Sequence, residues 1–111
     1  MASDCIFCKI VDSEIDAEVA YRSETAVAFH DLNPQAPVHV LVVPTVHAPG
    51  IVQLPTDIST PMLSEVAHVI GLVAKPTGHR LVVNSGDYAG QSVDHLHFHI
   101  LSGRPMSWPP G

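Results

Sequence analysis

Residues 94–101 read DHLHFHIL, with three histidines at alternate positions and apolar residues between them. Successive side chains of a β-strand point to opposite faces of the sheet. The alternation therefore predicts a strand over Asp94–Leu101 that brings His95, His97 and His99 to one face. The apolar residues between them point into the core.

Three interpretations of this strand are open: an amphipathic strand with a polar face, a metal site, or a phosphoryl-transfer site. A neutral imidazole is nucleophilic through one nitrogen and fixes its tautomer by donating a proton from the other. Neighbouring histidines can donate to phosphoryl oxygens or pass a proton to a leaving group. The turn Gly86–Ser92 comes just before the strand and offers backbone donors and the Ser92 hydroxyl to the same phosphate. This combination favours a phosphate site.

Apolar periodicity and the positions of proline predict the other elements. They are a helical turn over Cys5–Val11, strands over Glu18–Arg22, Thr25–Asp31, Val38–Val43 and His79–Val83, and one longer helix that ends before Pro76. The tail from Gly103 is too rich in proline for regular structure. The pattern predicts a single α+β domain, residues 1–111, with about five mostly antiparallel strands, one main helix and a short N-terminal helix.

The main helix is expected to begin at Thr60-Pro61, with Thr60 as the N-cap and Pro61 as the first helical residue. Its apolar stripe is expected to pack on one face of the sheet. The stripe consists of Met62, Leu63, Val66, Ile70 and Val73.

Composition excludes several classes of protein. The 111 residues are 46% hydrophobic and 14% charged, which is sufficient for a core and argues against disorder. Five Lys and Arg against eleven Asp and Glu give a net charge of −6, which argues against nucleic acid or an anionic membrane as a partner. No apolar run reaches the roughly 20 residues of a membrane span, and the start of the chain lacks a signal-peptide pattern. We expect a soluble, cytoplasmic protein.

With these residues in view, the chain resembles the histidine triad (HIT) hydrolases and transferases. Residues 95–101 match their motif His-φ-His-φ-His-φ-φ, where φ is apolar, at every position. The resemblance extends to the Hint branch, the histidine triad nucleotide-binding proteins. It is carried there by AFHD (28–31), NPQAP (33–37) followed by His39, LVVN (81–84), GQSV (90–93) and WPPG (108–111).

The resemblance implies a role for each matching residue. His97 would be the nucleophile and His99 would contact the phosphate, with His95, His39 and Ser92 completing the catalytic set. Nucleotide binding would involve Asp31 at the ribose hydroxyls, Asn84 near the sugar and phosphate, Gly90, Gln91 and Ser92 beside the scissile bond, and Ile6, Phe7, Ile10, Phe29 and Leu32 around the base.

These residues also have plainer explanations. The apolar ones could belong to the core, Asp31 and Asn84 to ordinary turns, and His39 to a buried strand as a structural histidine. Only the resemblance favours the functional interpretation over these.

The resemblance also implies an activity, the hydrolysis of purine nucleoside phosphoramidates (AMP or GMP joined to an amine) through a nucleotidyl-histidine. Two alternatives stay open: another HIT activity, such as dinucleoside polyphosphate hydrolysis or nucleotidyl transfer, and a non-catalytic nucleotide-binding scaffold. The chemistry needs no cofactor. A homodimer is expected, with the long helix and a sheet edge at the interface.

Cys5 and Cys8 are the only cysteines, and they are too close in sequence to close a useful disulfide loop. Some bacterial HIT proteins use such a pair with a central histidine and the first triad histidine, which here are His47 and His95. Two thiolates and two imidazoles suit tetrahedral zinc, so a structural zinc site is expected. The alternative is that both cysteines are small apolar residues of the first turn. A thioredoxin-like role is excluded because Cys5 does not follow a strand of a βαβ unit.

Overall fold

The computed structural model describes residues 4–111. In chain order the elements are α1 (Ile6–Val11), β1 (Val19–Arg22), β2 (Ala26–His30), β3 (Val38–Pro44), α2 (Thr56–Val73), β4 (His79–Val83) and β5 (Phe98–Ser102), with short 3-10 turns at Ile51–Gln53 and Asp87–Ala89. The five strands form one antiparallel sheet in the order β1-β2-β3-β5-β4. The predicted α+β architecture, with one main helix and a short N-terminal helix, is confirmed.

The sheet has a different apolar cluster on each face. One face packs against α2 through Met62, Val66 and Val69, which are fully or almost fully buried. The opposite face carries a smaller cluster that includes Phe7 and Ile10 of α1. Because α1 is only six residues long, it covers part of this second face, and its Phe7 contacts the rings of His95 and His97.

The predicted start of the main helix is wrong. Helix α2 begins at Thr56, its N-cap is Pro55 without a side-chain hydrogen bond, and Pro61 lies inside the helix. Proline there removes one helical hydrogen bond. The buried side chains that follow on the next turns, Met62 and Val66, outweigh this loss by packing on the sheet.

The predicted stripe of α2 omits Val69, which is buried. Leu63 is 64% exposed and does not pack in the core, which is compatible with a stripe wide enough for both the core and a partner. Met62 and Val66 pack in the core as expected, with Ile70 and Val73 half-buried at its edge.

The last strand is shorter than predicted. It begins at Phe98, because residues 94–97 do not pair with β3 or β4. Instead the backbone N–H of Leu96 donates to the carbonyl of Ala48 at 2.7 Å. The alternation nevertheless persists, and Leu96, Phe98 and Ile100 all join the cluster beneath α2.

No helix within residues 4–111 is long and apolar enough to cross a membrane.

Candidate active site and adjoining metal site

A pocket of about 260 Å³ opens on the α1 face of the sheet. Nine of the residues proposed from sequence line it: Ile6, Phe7, Ile10, Phe29, Asp31, Leu32, Ser92, His97 and His99. The aliphatic and aromatic residues form its walls, and the two histidines lie at the end of the pocket where β5 begins. Leu32 stands at the mouth, with its side chain 99% exposed.

The tautomer of His97 follows from one hydrogen bond. Its Nδ1 lies 2.8 Å from the backbone carbonyl oxygen of His95. A carbonyl can only accept, so Nδ1 must carry the proton and donate it. The lone pair is therefore on Nε2, and a neutral His97 offers that nitrogen as a nucleophile.

The tautomer of His99 is set by a chain of hydrogen bonds that runs from the backbone of Gln35 through His39 to His99, which we call the histidine relay. The backbone N–H of Gln35 donates to Nδ1 of His39 at 3.0 Å, so His39 must carry its proton on Nε2. That Nε2 lies 3.0 Å from Nδ1 of His99 and 3.4 Å from Oδ2 of Asp31. His99 accepts at Nδ1, so its own proton is on Nε2.

The Nε2–H of His99 is consequently a hydrogen-bond donor that lacks an acceptor among the described residues. The atom is buried and has no hydrogen-bond partner anywhere in residues 4–111. A buried donor without a partner costs free energy, and such groups in a folded protein call for an explanation. An anionic ligand in the pocket that His99 lines would supply the missing acceptor.

Burial keeps the histidines of this relay neutral. It lowers the pKa of His99 to about 4, and the nearby charges of His97 and His39 act in the same direction. Burial also lowers the pKa of His39, with Asp31 opposing the shift. An anion in this pocket would therefore meet neutral imidazole donors rather than cationic side chains.

Asp31 is held at the pocket by its surroundings. Its Oδ1 accepts the backbone N–H of Asn33 at 2.8 Å, which closes a tight turn after β2, while Oδ2 faces His39. The plain interpretation as a turn carboxylate and the functional one are thus compatible. A ribose contact by Asp31 stays a prediction.

His95 belongs to a second cluster. Its Nε2 lies 3.0 Å from the carbonyl oxygen of Pro44 and must donate to it, so Nδ1 carries the lone pair. That Nδ1 lies 3.3 Å from Sγ of Cys5, 3.5 Å from Sγ of Cys8 and 3.2 Å from Nδ1 of His47. Cys8 Sγ lies 3.3 Å from the same His47 atom.

The spacing of these four atoms fits a tetrahedral ion. All four lie within 4.8 Å of one another. Zn–N distances of about 2.05 Å and Zn–S distances of about 2.3 Å require roughly 3.3 Å between two nitrogens and 3.6 Å between nitrogen and sulfur. The observed separations are close to both values. The carbonyl of Pro44, which orients His95, is the type of second partner that metal-bound histidines have in proteins.

The Cys8 thiol is a poor acid on its own. Burial, followed by the hydrogen bond and charge of Cys5, raises the pKa of Cys8 to about 11. A divalent cation has the opposite effect, since a coordinating thiol loses its proton. The donor set, two sulfurs and two neutral imidazoles, is one that zinc prefers.

Phe7 joins the two clusters. Its ring contacts His97 and His95 edge-on, with centroid distances of 5.1 and 5.9 Å, and it packs on Phe29 at 5.5 Å. Phe7 lies on α1, whose N-cap is Cys5, and Sγ of Cys5 accepts the backbone N–H of Cys8. The cysteine pair and one wall of the pocket are therefore parts of one short helix.

Three of the proposed ligand-binding residues lie away from the pocket. The side-chain amide of Gln91 accepts from the backbone N–H of Gly86 and donates to the carbonyls of Pro49 and Val93, which stabilises the loop. Gly90 follows a 3-10 turn in a left-handed conformation. Asn84 lines a wider groove that reaches His39 and His99 from the other side. Ligand contacts by these three residues stay predictions.

Sequence reasoning missed one side of the pocket. Residues 15–18, which follow α1, and His30 complete its rim. Nε2 of His30 also lies 3.8 Å from Oε2 of Glu18. No motif marks residues 15–18, and His30, although it lies in the AFHD stretch, is not among the proposed site residues. The backbone groups of Gln35 and Pro44 that fix the tautomers leave no signal in side-chain identity.

Comparison with known proteins is consistent with this geometry. The family model described as "HIT domain" matches residues 12–106. An uncharacterized HIT-like protein of Synechocystis is 45% identical over the full length of both chains. Among solved structures, a HIT family hydrolase from Legionella pneumophila is 40% identical with a TM-score of 0.84, and the match covers 96% of this chain and 99% of that one. A histidine triad protein from Clostridium difficile is 38% identical over 96% of both chains, with a TM-score of 0.86.

Proposed function

Because this chain belongs to the HIT family, we propose that it is a hydrolase of the Hint type, which cleaves the P–N bond of purine nucleoside phosphoramidates through a nucleotidyl-histidine on His97. The observation that carries the proposal is the complementary pair of histidines in the pocket. His97 offers a lone pair at Nε2, and His99 offers a buried, unpartnered donor at Nε2, as judged over residues 4–111.

The first step forms the covalent intermediate. Nε2 of His97 attacks phosphorus, and the electron pair of the breaking P–N bond goes to the amine nitrogen. The amine takes the proton of the Ser92 hydroxyl, which lines the same pocket, and leaves, while solvent returns a proton to Ser92. The Nε2–H of His99 donates to a phosphoryl oxygen throughout, so the donor is in place before charge develops there.

The second step releases the nucleotide. Water attacks phosphorus, the P–Nε2 bond breaks, and the proton of the attacking water is lost to solvent. The sum of the two steps is phosphoramidate plus water giving nucleoside monophosphate plus amine. His97 returns to its starting tautomer because the carbonyl of His95 still accepts from Nδ1.

The apolar walls suit the nucleoside. Phe7, Ile10 and Phe29 are buried around the pocket and offer flat and aliphatic surface to a purine ring. Asp31 at the rim is suited to accept from the ribose hydroxyls. These walls favour a base without selecting between adenine and guanine.

We propose a structural role for zinc at Cys5, Cys8, His47 and His95. Bound zinc would supply a cross-link between α1 and the segment before β5, and four protein ligands leave no open position for substrate. Zinc per chain, measured on protein purified without chelator, tests this role. A value below about 0.2, with normal folding and activity, would contradict it, because structural zinc sites contribute directly to folding.

We also propose a homodimer. Leu63 and Leu72 of α2 are 64% and 57% exposed, and β4 is an edge strand of the sheet in the described chain. An unpaired sheet edge and exposed leucines are each suited to contact with a second copy. Sedimentation that gives only a species of 11.9 kDa would contradict the dimer.

The decisive experiment is steady-state hydrolysis of adenosine 5′-phosphoramidate by the wild type and by His97→Ala, with the intact mass of the rapidly quenched wild type. Turnover that is lost in the variant, together with a mass gain of one adenylate, supports the proposal. AMP binding without turnover would contradict it. A dinucleoside polyphosphate and a sugar nucleotide in the same assay separate this activity from the other HIT activities.

A further inference from the structure

The loop between β2 and β3 controls the histidine relay through a single backbone group. The N–H of Gln35 is the donor that holds Nδ1 of His39, at 3.0 Å. The loop itself is short and exposed, with Pro34 and Pro37 on either side of Gln35. Within it, the side chain of Gln35 bonds only to the carbonyl of Asn33 among the described contacts. The turn of Asp31 and Asn33 fixes the start of the loop, and a contact from outside the loop adds to it at Gln35.

The segment after β5 supplies that contact. Nε of Arg104 donates to the carbonyl of Gln35 at 2.9 Å, and Nη1 of the same guanidinium donates to the carbonyl of Pro105 at 3.0 Å. The guanidinium thus ties the loop to the segment that follows β5. Gln35 is held at both ends, by Arg104 at its carbonyl and by His39 at its N–H.

A second contact brings the same two segments together. A Cβ added at Gly103 would lie 2.9 Å from Cβ of Pro37, and the φ of Gly103 is +97°. This close approach and this backbone conformation both require glycine. The contact is independent of the arginine and acts on the same loop.

We propose that Arg104 is a positioning residue for catalysis. By fixing the backbone of Gln35, Arg104 holds the His39 ring. Through that ring it directs the Nε2–H of His99 towards the phosphate. The inference rests on the proposed function. Without the Gln35 donor, Nδ1 of His39 is free to bind a proton or turn away, and the ring keeps only the two partners of its Nε2, Asp31 and His99. His99 would then lose the fixed donor, the Nε2–H of His39, that keeps its own proton on Nε2.

The test compares Arg104→Ala with Arg80→Ala. Arg80 is a matched control because its Nη2 also donates to a backbone carbonyl at 2.9 Å, that of Ser107, and no hydrogen bond joins it to Gln35 among the described contacts. We call the hydrogen bonds from Arg104 to the Gln35 carbonyl and from the Gln35 N–H to His39 the clamp. Hydrogen exchange of the Gln35 amide and the ¹⁵N resonance of His39 Nδ1 report on the clamp directly. Gly103→Ala displaces the same loop by a different route and serves as a second variant.

In Arg104→Ala and Gly103→Ala we expect Gln35 protection to fall about tenfold, the size of one lost hydrogen bond. The His39 Nδ1 resonance should move, and kcat should fall about fivefold to tenfold with little change in KM. Arg80→Ala should change none of these quantities. Amides of β3 serve as the internal reference, since their protection reports global stability.

Two results would overturn the proposal. One is unchanged Gln35 protection in Arg104→Ala, whatever happens to kcat. The other is a loss of protection with kcat intact, which would make the clamp purely structural. If the wild type does not hydrolyse phosphoramidates, the proposed function fails, while Gln35 exchange still shows whether the clamp exists.

Discussion

Replacing His99 by phenylalanine should lower activity without lowering stability in proportion. Phenylalanine keeps a flat ring of similar size in the buried site but has no donor to offer. The change removes the Nε2–H that is unpartnered within residues 4–111, together with the acceptor Nδ1 that faces His39. Loss of the Nε2–H lowers activity. For stability, the removal of this donor and the loss of Nδ1 act in opposite directions.

The functional loss follows from the hydrogen bond to phosphate. A hydrogen bond to a charged acceptor is worth about 1.5–3 kcal/mol. At about 1.4 kcal/mol per factor of ten, kcat/KM should fall roughly 10-fold to 150-fold. The stability effect is smaller, because the lost bond to His39, about 1 kcal/mol, is offset by removing a buried donor that costs about 1–3 kcal/mol.

The assay is release of AMP from adenosine 5′-phosphoramidate, paired with urea unfolding of the same samples. His79→Phe is the control, since His79 is an exposed histidine at the start of the neighbouring strand β4. That variant should behave as the wild type does. A kcat/KM for His99→Phe within threefold of wild type, or a loss explained by unfolding, would refute the reasoning.

Other perturbations test separate parts of the site. His97→Ala should reduce turnover at least about 10³-fold and abolish the adenylate mass gain, because no other group in the pocket is proposed to form the covalent bond. In the presence of zinc, Cys8→Ser should have a Tm roughly 10 °C below that of the wild type. Chelator should lower the Tm of the wild type by the same amount and leave that of the variant unchanged. Equal Tm values for the wild type and the variant in zinc would contradict the zinc site. Without zinc, the free energy of unfolding should fall as the pH drops from about 6.5 towards 4. In this range His39 and His99 bind protons in the unfolded chain but stay neutral in the folded one, where burial lowers their pKa values. A free energy of unfolding that does not depend on pH would contradict this. Leu63→Asp should convert the dimer to a monomer in sedimentation, whereas an unchanged mass would move the interface elsewhere.

The elements with a strong local pattern were predictable from sequence. The valine-rich run at 38–43 and the strand His79–Val83 are confirmed, the first extended only by Pro44. The start of α2 was not predictable, because Thr60-Pro61 is a good local start signal that packing overrides. The end of β5 is correct to one residue, but its beginning depends on where the chain leaves the sheet to reach Ala48.

For the site, alternation correctly predicted which face the histidines share, and the resemblance proposed most of the pocket lining. Neither could assign a protonation state to any ring. Those states depend on which backbone group meets each nitrogen: the carbonyl of His95 for His97, the N–H of Gln35 for His39. Backbone groups are the same at every residue, so only the folded geometry distinguishes them.

The three histidines of the motif are chemically identical in sequence and different in the fold. His95 donates from Nε2 to Pro44, which turns its Nδ1 lone pair towards the cysteines, while His97 donates from Nδ1 and keeps its lone pair on Nε2 for the pocket. The acceptor for His97 is the carbonyl of His95 itself, so one residue joins the Cys/His cluster with its side chain and orients the proposed nucleophile with its backbone. A metal that held the His95 ring would therefore also steady the carbonyl that selects the His97 tautomer. Because that carbonyl survives any side-chain substitution, loss of the metal ligand should loosen the site while the identity of the nucleophilic nitrogen is kept.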